Sequence, residues 1–299
     1  MVRLPPGAEE HLRSDHPRLL ELRERYARYS SNFQHTQWSP DVLAHELDLK
    51  SFRADNAYNW QVRGNVQEIQ YLLTAYYARE MDSLRIFGGL FEDDYFGAHT
   101  FAFNGTHLLS RDLLDSVIQI NFLHRHTNLG AIPGGTVLDI GAGYGRLPWR
   151  MSRALPNLAH IWCTDGVPES TFLCEYYLTF RRADERVNVF PLDEVADRIR
   201  GQHIHVVSNV QSFTECTSEA IAWWMNTLDT ATVDYLFIVP NTPDQLLSMD
   251  TDGVRRDFLP VIEAHGFRLI AKEFAYHGAP SVQQHGVYGA LKFWLFARS

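Results

Sequence analysis

The sequence has 299 residues, 45% hydrophobic and 21% charged, ordinary for a soluble globular chain and enough to bury the core of one large domain or two small ones. Its net charge is -9 and no run of Lys and Arg offers an electrostatic footprint, which disfavours nucleic acid as a partner. The N-terminal stretch carries two prolines and several charges where a signal peptide needs an unbroken apolar run. No later segment is long enough to span a bilayer, and Cys163, Cys174 and Cys216 have no zinc-type or CxxC spacing. The expectation is a cytoplasmic protein with reduced thiols and no membrane anchor.

From about residue 10 to 130 the pattern is helical. "HPRLLELRERYARYSSNF" and "VQEIQYLLTAYYAREMDSLRIF" carry apolar residues at helix spacing, and "SRDLLDSVIQINFLHRH" opens with Ser110 as an N-cap. Two irregular pieces, "KSFRADNAYNWQVRGN" and "FEDDYFGAHTFAFNG", interrupt these helices. After residues 130–135 short β-rich runs alternate with helical ones: "TVLDI", "AHIWCTD", "VNVFPLD", "HIHVVSNV" and "YLFIVPN". This alternation predicts a mostly parallel sheet with crossover helices. The last two runs, "FRLIAKEFAYH" and "YGALKFWLFARS", have no helix-length segment between them and are expected to pair as an antiparallel hairpin. The chain thus divides into a helical region, 1–130, and a sheet domain, 131–299.

The first strand of that domain ends on Asp139 and runs into "GAGYG", with Gly141, Gly143 and Gly145, before a helix that starts near Arg146. Glycines let a ligand approach the backbone, and the helix N-terminus behind them offers free amides. The second strand ends on Asp165, about twenty residues on, where an acid suits a ribose diol. Asp139 would repel a pyrophosphate seated over the turn and would tolerate a cationic centre, which favours S-adenosylmethionine over NAD as cofactor. The terminal antiparallel hairpin also departs from a six-stranded dinucleotide fold.

These residues resemble a known family. "VLDIGAGYGRL", Asp165, "VVSNVQSFTE" and the closing hairpin look like class I S-adenosylmethionine-dependent methyltransferases. Within that class, the "GAGYGRL" turn, "SNVQSFTE" followed by a Trp-bearing helix, and the helical N-terminal half are similar to sugar O-methyltransferases of natural-product and polysaccharide pathways. The resemblance implies an α/β, Rossmann-like methyltransferase sheet of seven strands, mostly parallel, with a helical N-terminal region. It implies that Asp139, Gly141 and Gly143 line the methionine end, that Asp165 binds the ribose hydroxyls, and that Ala142, Arg146 and Gly166 belong to the same cofactor site. Leu192 and Asp193 would flank the adenine, and Asn209, Val210 and Gln211 would face the transferring methyl. "SNVQSF" lacks the prolines of the N-methyltransferase signature, which lowers the weight of amide-type N-methylation.

Methyl transfer to a hydroxyl calls for alignment, exclusion of water and a proton acceptor. Glu215 just after the fourth strand, His277 at the end of "FAYH" and His285 in "SVQQHGVYG" are the candidates for that base. The plainer readings are a helix-start acid for Glu215 and a solvated hairpin loop for the two histidines. "RADNAYNWQVRGN", with Arg53, Asn56, Tyr58, Trp60 and Arg63, would supply a lid and an acceptor wall, Tyr58, Trp60 and Arg63 joining Gln211 as substrate-binding residues. A packed connector is the alternative. Asp93, Asp94 or Glu215 could contribute oxygens to a divalent ion, but no spacing is diagnostic and no metal is assigned. His203 and His205 share a strand face without a third ligand nearby in sequence.

The expected activity is transfer of a methyl group to a hydroxyl of a small-molecule acceptor, a sugar or a glycosylated natural product. O- or N-methylation of a non-sugar metabolite, or cofactor binding without transfer, are the alternatives. A homodimer is an arrangement the fold allows by analogy alone.

Overall fold

In the computed structural model, which describes residues 2–29, 38–55, 66–105, 107–287 and 289–299, four helices lead the chain. These are α1 (Ala8–His11), α2 (Pro17–Ala27), α3 (Pro40–His45) and α4 (Glu68–Glu80). Pro17 opens α2 at a position where its missing N–H costs nothing, and the His16 ring accepts the Arg18 N–H. A small hairpin, β1 (Phe101–Phe103) with β2 (His107–Leu109), precedes the long helix α5 (Arg111–Thr127). Ser110 caps α5 as expected, accepting the Leu113 N–H at 3.2 Å, and Asn128 ends it in the left-handed region at φ 57°.

The sheet domain follows as β3 (Gly135–Ile140), α6 (Arg146–Ala154), β4 (Leu158–Thr164), α7 (Pro168–Phe180), β5 (Val187–Val189), α8 (Leu192–Ile199) and β6 (His203–Val210). Then come α9 (Ser218–Leu228), β7 (Thr232–Val239), α10 (Leu259–Ala264), β8 (Phe267–Phe274), α11 (Pro280–His285) and β9 (Lys292–Arg298). The seven strands lie in the order β5-β4-β3-β6-β7-β9-β8. β9 runs antiparallel to both β7 and β8, and every other pairing is parallel. This is the Rossmann-like, mostly parallel sheet with an antiparallel C-terminal hairpin that the sequence led us to expect. One detail differs: the hairpin connection contains the short helix α11, which Pro280 starts and which six residues leave too brief to register as a helical period.

Alternation along the strands sends side chains to two cores. Leu138, Ile140, Val207, Leu236 and Ile238 face α2, α7, α8 and α9 on one side. Val137, Ile161, Val206, Phe237 and Leu295 face α4, α5 and α6 on the other. Both cores draw on the first 130 residues: Leu19, Leu22 and Phe52 in the first, Tyr71, Leu113 and Val117 in the second, all with at most 1% exposure. Arginines of α2 add ion pairs to α7 and α8, with Arg18–Glu175 at 2.6 Å, Arg23–Glu169 at 2.8 Å and Arg25–Asp193 at 2.7 Å.

Candidate functional site

Strand order reverses between β3 and β6, and in open parallel sheets the crevice beyond the strand ends at such a point is where ligands seat. A cavity lies there. The glycine turn forms one wall, with Gly141, Gly143 and Gly145 all in the left-handed region at φ 72°, 57° and 85°. The N–H groups of Gly141 and Ala142 both donate to the Thr164 carbonyl, at 2.9 and 3.1 Å, which clamps the turn to the end of β4. A Cβ on Gly141 would lie 2.2 Å from Ser212 Oγ, so glycine is required by contact as well as by φ.

Asp165 faces the same space from the end of β4. Its Oδ2 accepts the Gly143 N–H at 2.9 Å and its Oδ1 the Val167 N–H at 2.8 Å, and each carboxylate oxygen retains a lone pair. Asp139, 4% exposed, accepts the Ser208 hydroxyl at 2.6 Å. Burial pushes the Asp139 carboxyl up to about 6, against the pull of Ser208 and the nearby Arg146 charge. Burial pushes Asp165 up to about 7, opposed by its two backbone donors. Glu215, in a single 3-10 turn after β6, accepts from Trp38 Nε1 at 2.8 Å and Asn241 Nδ2 at 3.0 Å, and burial raises its carboxyl as well.

Asp139, Gly141, Ala142, Gly143, Arg146, Asp165, Val210, Gln211 and Glu215 all line this one cavity. Gln211 takes a positive φ of 64°, uncommon for a residue with a side chain, where β6 gives way to the turn. A second, smaller crevice shares Asp112, Arg146, Val210 and Gln211 with the first and continues past them to Arg111, Asp115 and Gln119. Sequence reasoning missed Trp38, Asp112, Tyr144 and Ser212 as cavity residues. The Tyr144 hydroxyl donates to the Asp112 carboxylate, a contact between α5 and the glycine turn that no local pattern announces.

Other expected residues lie elsewhere. Asn209 is fully buried, with its amide donating to the Ile140 carbonyl at 2.9 Å and accepting the Phe213 N–H at 2.8 Å, so it ties the ends of β3 and β6 together and does not face the cavity. Leu192 and Asp193 are covered by α2. The Leu192 N–H donates to the Tyr26 hydroxyl at 2.8 Å, and the Asp193 carboxylate takes the Arg25 guanidinium. Gly166 follows Asp165 outside the cavity lining.

His277 sits in the turn after β8 with an exposed ring 3.5 Å from Glu273, and His285 is exposed at the end of α11. β8 is the outermost strand, three places from β6, which puts about 14 Å of sheet between that edge and the cavity. Of the three base candidates only Glu215 lines the cavity. Asn56, Tyr58, Trp60 and Arg63 fall outside the described residues; Arg53 is buried against Glu92 at 2.5 Å.

Asp93 and Asp94 are engaged by arginines, Asp93 by Arg53 and Arg181 and Asp94 by Arg3. His203 and His205 do find a third metal-type group, Asp234 on β7, at the N-terminal ends of β6 and β7, opposite the strand ends that border the cavity. His203 Nε2 bonds both Asp234 oxygens at 2.9 Å, and His205 Nδ1 accepts the Thr136 N–H at 3.0 Å, which leaves the proton on Nε2. These groups are spent on one another and on the backbone. The three cysteines are buried and unbridged, and among the described residues no helix is long and apolar enough to cross a membrane.

Solved structures similar to this chain include a SAM-dependent methyltransferase from Aquifex aeolicus, 17% identical over 57% of this chain and 85% of that one, TM-score 0.41. Another is magnesium protoporphyrin IX methyltransferase from Synechocystis PCC 6803 with bound SAM, 14% identical over 63% and 83% of the two chains, TM-score 0.44. The [4+2]-cyclase SpnF is 14% identical over 78% and 96%, TM-score 0.44. No protein-family model matches the sequence, and no curated protein does. The fold described above rests on the chain's own strand order.

Proposed function

We propose that this protein transfers a methyl group from S-adenosylmethionine to a hydroxyl of a small, polyhydroxylated acceptor, of which a sugar is the type. The observation that carries this reading is the pair of buried carboxyls, Asp139 and Asp165, at the point where strand order reverses. A pyrophosphate over the turn would meet both. A nucleoside bearing an ammonium and a sulfonium matches them, with its ribose hydroxyls donating to Asp165 and its positive end near Asp139.

When bound, the cofactor supplies an electrophilic methyl carbon. The chain's own part is to exclude water, to align the acceptor and to take its proton. Glu215, the base candidate that lines the cavity, is our choice to receive that proton. Its carboxyl is buried in the cavity wall, raised by that burial toward the range useful to a general base, and held by Trp38 and Asn241. The polar crevice beyond Gln211, with Arg111, Asp115 and Gln119, supports a hydroxylated acceptor over a planar aromatic one.

Calorimetric titration with S-adenosylhomocysteine and, in parallel, with NAD tests the cofactor. Saturable binding of the former alone is expected, and binding of NAD alone overturns the reading. With the cofactor secured, Glu215→Gln should lower methyl transfer to a glycoside acceptor by roughly 10²–10³-fold while leaving S-adenosylhomocysteine affinity nearly intact.

A further inference from the structure

The tips of β3, β4 and β5 stand side by side in the sheet, each about 4.8 Å from the next. A nucleoside whose positive end lies at Asp139, past β3, and whose ribose lies on Asp165, past β4, carries its base toward the tip of β5. The cavity stops short of that tip. On this side its lining ends with Val167 and Ser170, and among the described residues none of α2 or α8 borders it. Its volume of about 150 Å³ is below the ~300 Å³ at the lower end of pockets that enclose a small-molecule ligand.

The last turn of α2 fills the place beyond. The Tyr26 hydroxyl accepts the Leu192 N–H at 2.8 Å and shares a hydrogen bond of 2.8 Å with Thr171, the residue after Ser170 of the cavity wall. Asp165 and Asp193 both act electrostatically on that hydroxyl, which sets it between the ribose acid and the tip of β5. Arg25 grips the Asp193 carboxylate with two hydrogen bonds, at 2.7 and 3.0 Å. An acceptor thus meets the Leu192 amide while a neighbouring donor meets the Asp193 carboxylate. The hydrogen-bonding edge of adenine offers the same pair, N1 as acceptor beside the N6 amine as donor.

We propose that α2 occupies the adenine place of this protein as an autoinhibitory contact, which the cofactor must displace in order to bind. The proposal rests on the proposed cofactor and adds a regulation to its site. Because adenine would renew the hydrogen bonds at Leu192 and Asp193, the cost of opening falls on what else holds α2. That is the packing of Leu19 and Leu22 and the ion pairs of Arg18 with Glu175 and of Arg23 with Glu169. A protein whose open form is a minor fraction binds its ligand more weakly by that fraction. Loosening α2 therefore strengthens cofactor binding, whereas loosening a wall that the cofactor leans on weakens it.

The test is calorimetric titration of wild type, Tyr26→Phe and Arg25→Met with S-adenosylhomocysteine, joined to hydrogen exchange of the wild type with and without that ligand. Tyr26→Phe should bind roughly 5–30-fold more tightly than wild type, the gain expected when the closed form loses one buried hydrogen bond. Arg25→Met should also bind more tightly. At saturation the amides of 17–27 should exchange faster than in the free protein, while those of the glycine turn slow down and report that the ligand is in place.

Equal or weaker binding by either variant overturns the proposal. So does unchanged or slower exchange in α2 at saturation, a result that needs no variant. If none of the three proteins binds S-adenosylhomocysteine, the cofactor reading itself falls and the proposal with it, by an outcome distinct from the other two.

Discussion

Burial holds the carboxyls of Asp139 and Asp165 at about 6 and about 7. In the unfolded chain both titrate near 4, as free aspartates do. The folded state thus binds more protons than the unfolded one between those limits. The stability linked to these groups is complete below about pH 4 and is lost as pH rises through 6 to 7. A ligand carrying positive charge reverses the shift and expels protons. Titration with S-adenosylmethionine, whose sulfonium gives it a net positive charge, at pH 6 in two buffers of different ionisation enthalpy should show net proton release that fades by pH 8; proton uptake would contradict the charge assignment. The position of these two acids at strand ends was legible because it depends on residues adjacent in the chain, whereas their partners Ser208 and Gly143 come from 69 and 22 residues away. The fates of Asp193 and Asn209 were not legible. Arg25, which takes the Asp193 carboxylate, is 168 residues away, and Asn209 spends its amide on Ile140, 69 residues back.

At the scale of elements, α2 is the piece whose place was hardest to foresee. Its amphipathic spacing predicts a helix, but nothing in that spacing says that Leu19, Leu22 and Tyr26 pack on α7 and α8. Tyr26 makes the docking specific: its hydroxyl accepts the Leu192 N–H at 2.8 Å and pairs with Thr171 at 2.8 Å. Tyr26→Phe leaves a buried N–H at the start of α8 without its acceptor, and should cost about 1–2 kcal/mol in urea unfolding with little change in slope. A change of a few tenths would mean that α2 docks by apolar contact alone. Longer helices were readable because several turns of period accumulate. The three-residue strands β1 and β2 and the six-residue α11 are too short to leave such a trace and form because their neighbours hold them.

Across the whole molecule, a buried ionic cluster joins the N-terminal region to the sheet domain. Glu92 accepts from Arg53 and Arg150 and from the Ser110 hydroxyl, and Asp93 accepts from Arg53 and Arg181. Although burial works against its charge, the arginines and Ser110 hold the Glu92 carboxyl down to about 2. The stability this gives is present above the usual glutamate range and is lost as pH falls toward 2. Arg53→Met should lower stability by about 3–5 kcal/mol near neutral pH, read from urea unfolding, because the acids it neutralised stay buried. A loss below about 1 kcal/mol would show that Arg150 and Arg181 suffice. The sequence by itself determined the alternation of strands and helices, the glycine turn, the acids at the two strand ends and the closing hairpin, since each is written in residues adjacent along the chain. Only the tertiary structure decided that both cores take in the first 130 residues, that Glu215 and not His277 or His285 reaches the cavity, and that Arg146 donates to Ser116 and Gln119. Those facts depend on strand order across the sheet and on partners far apart in sequence, which no local pattern encodes.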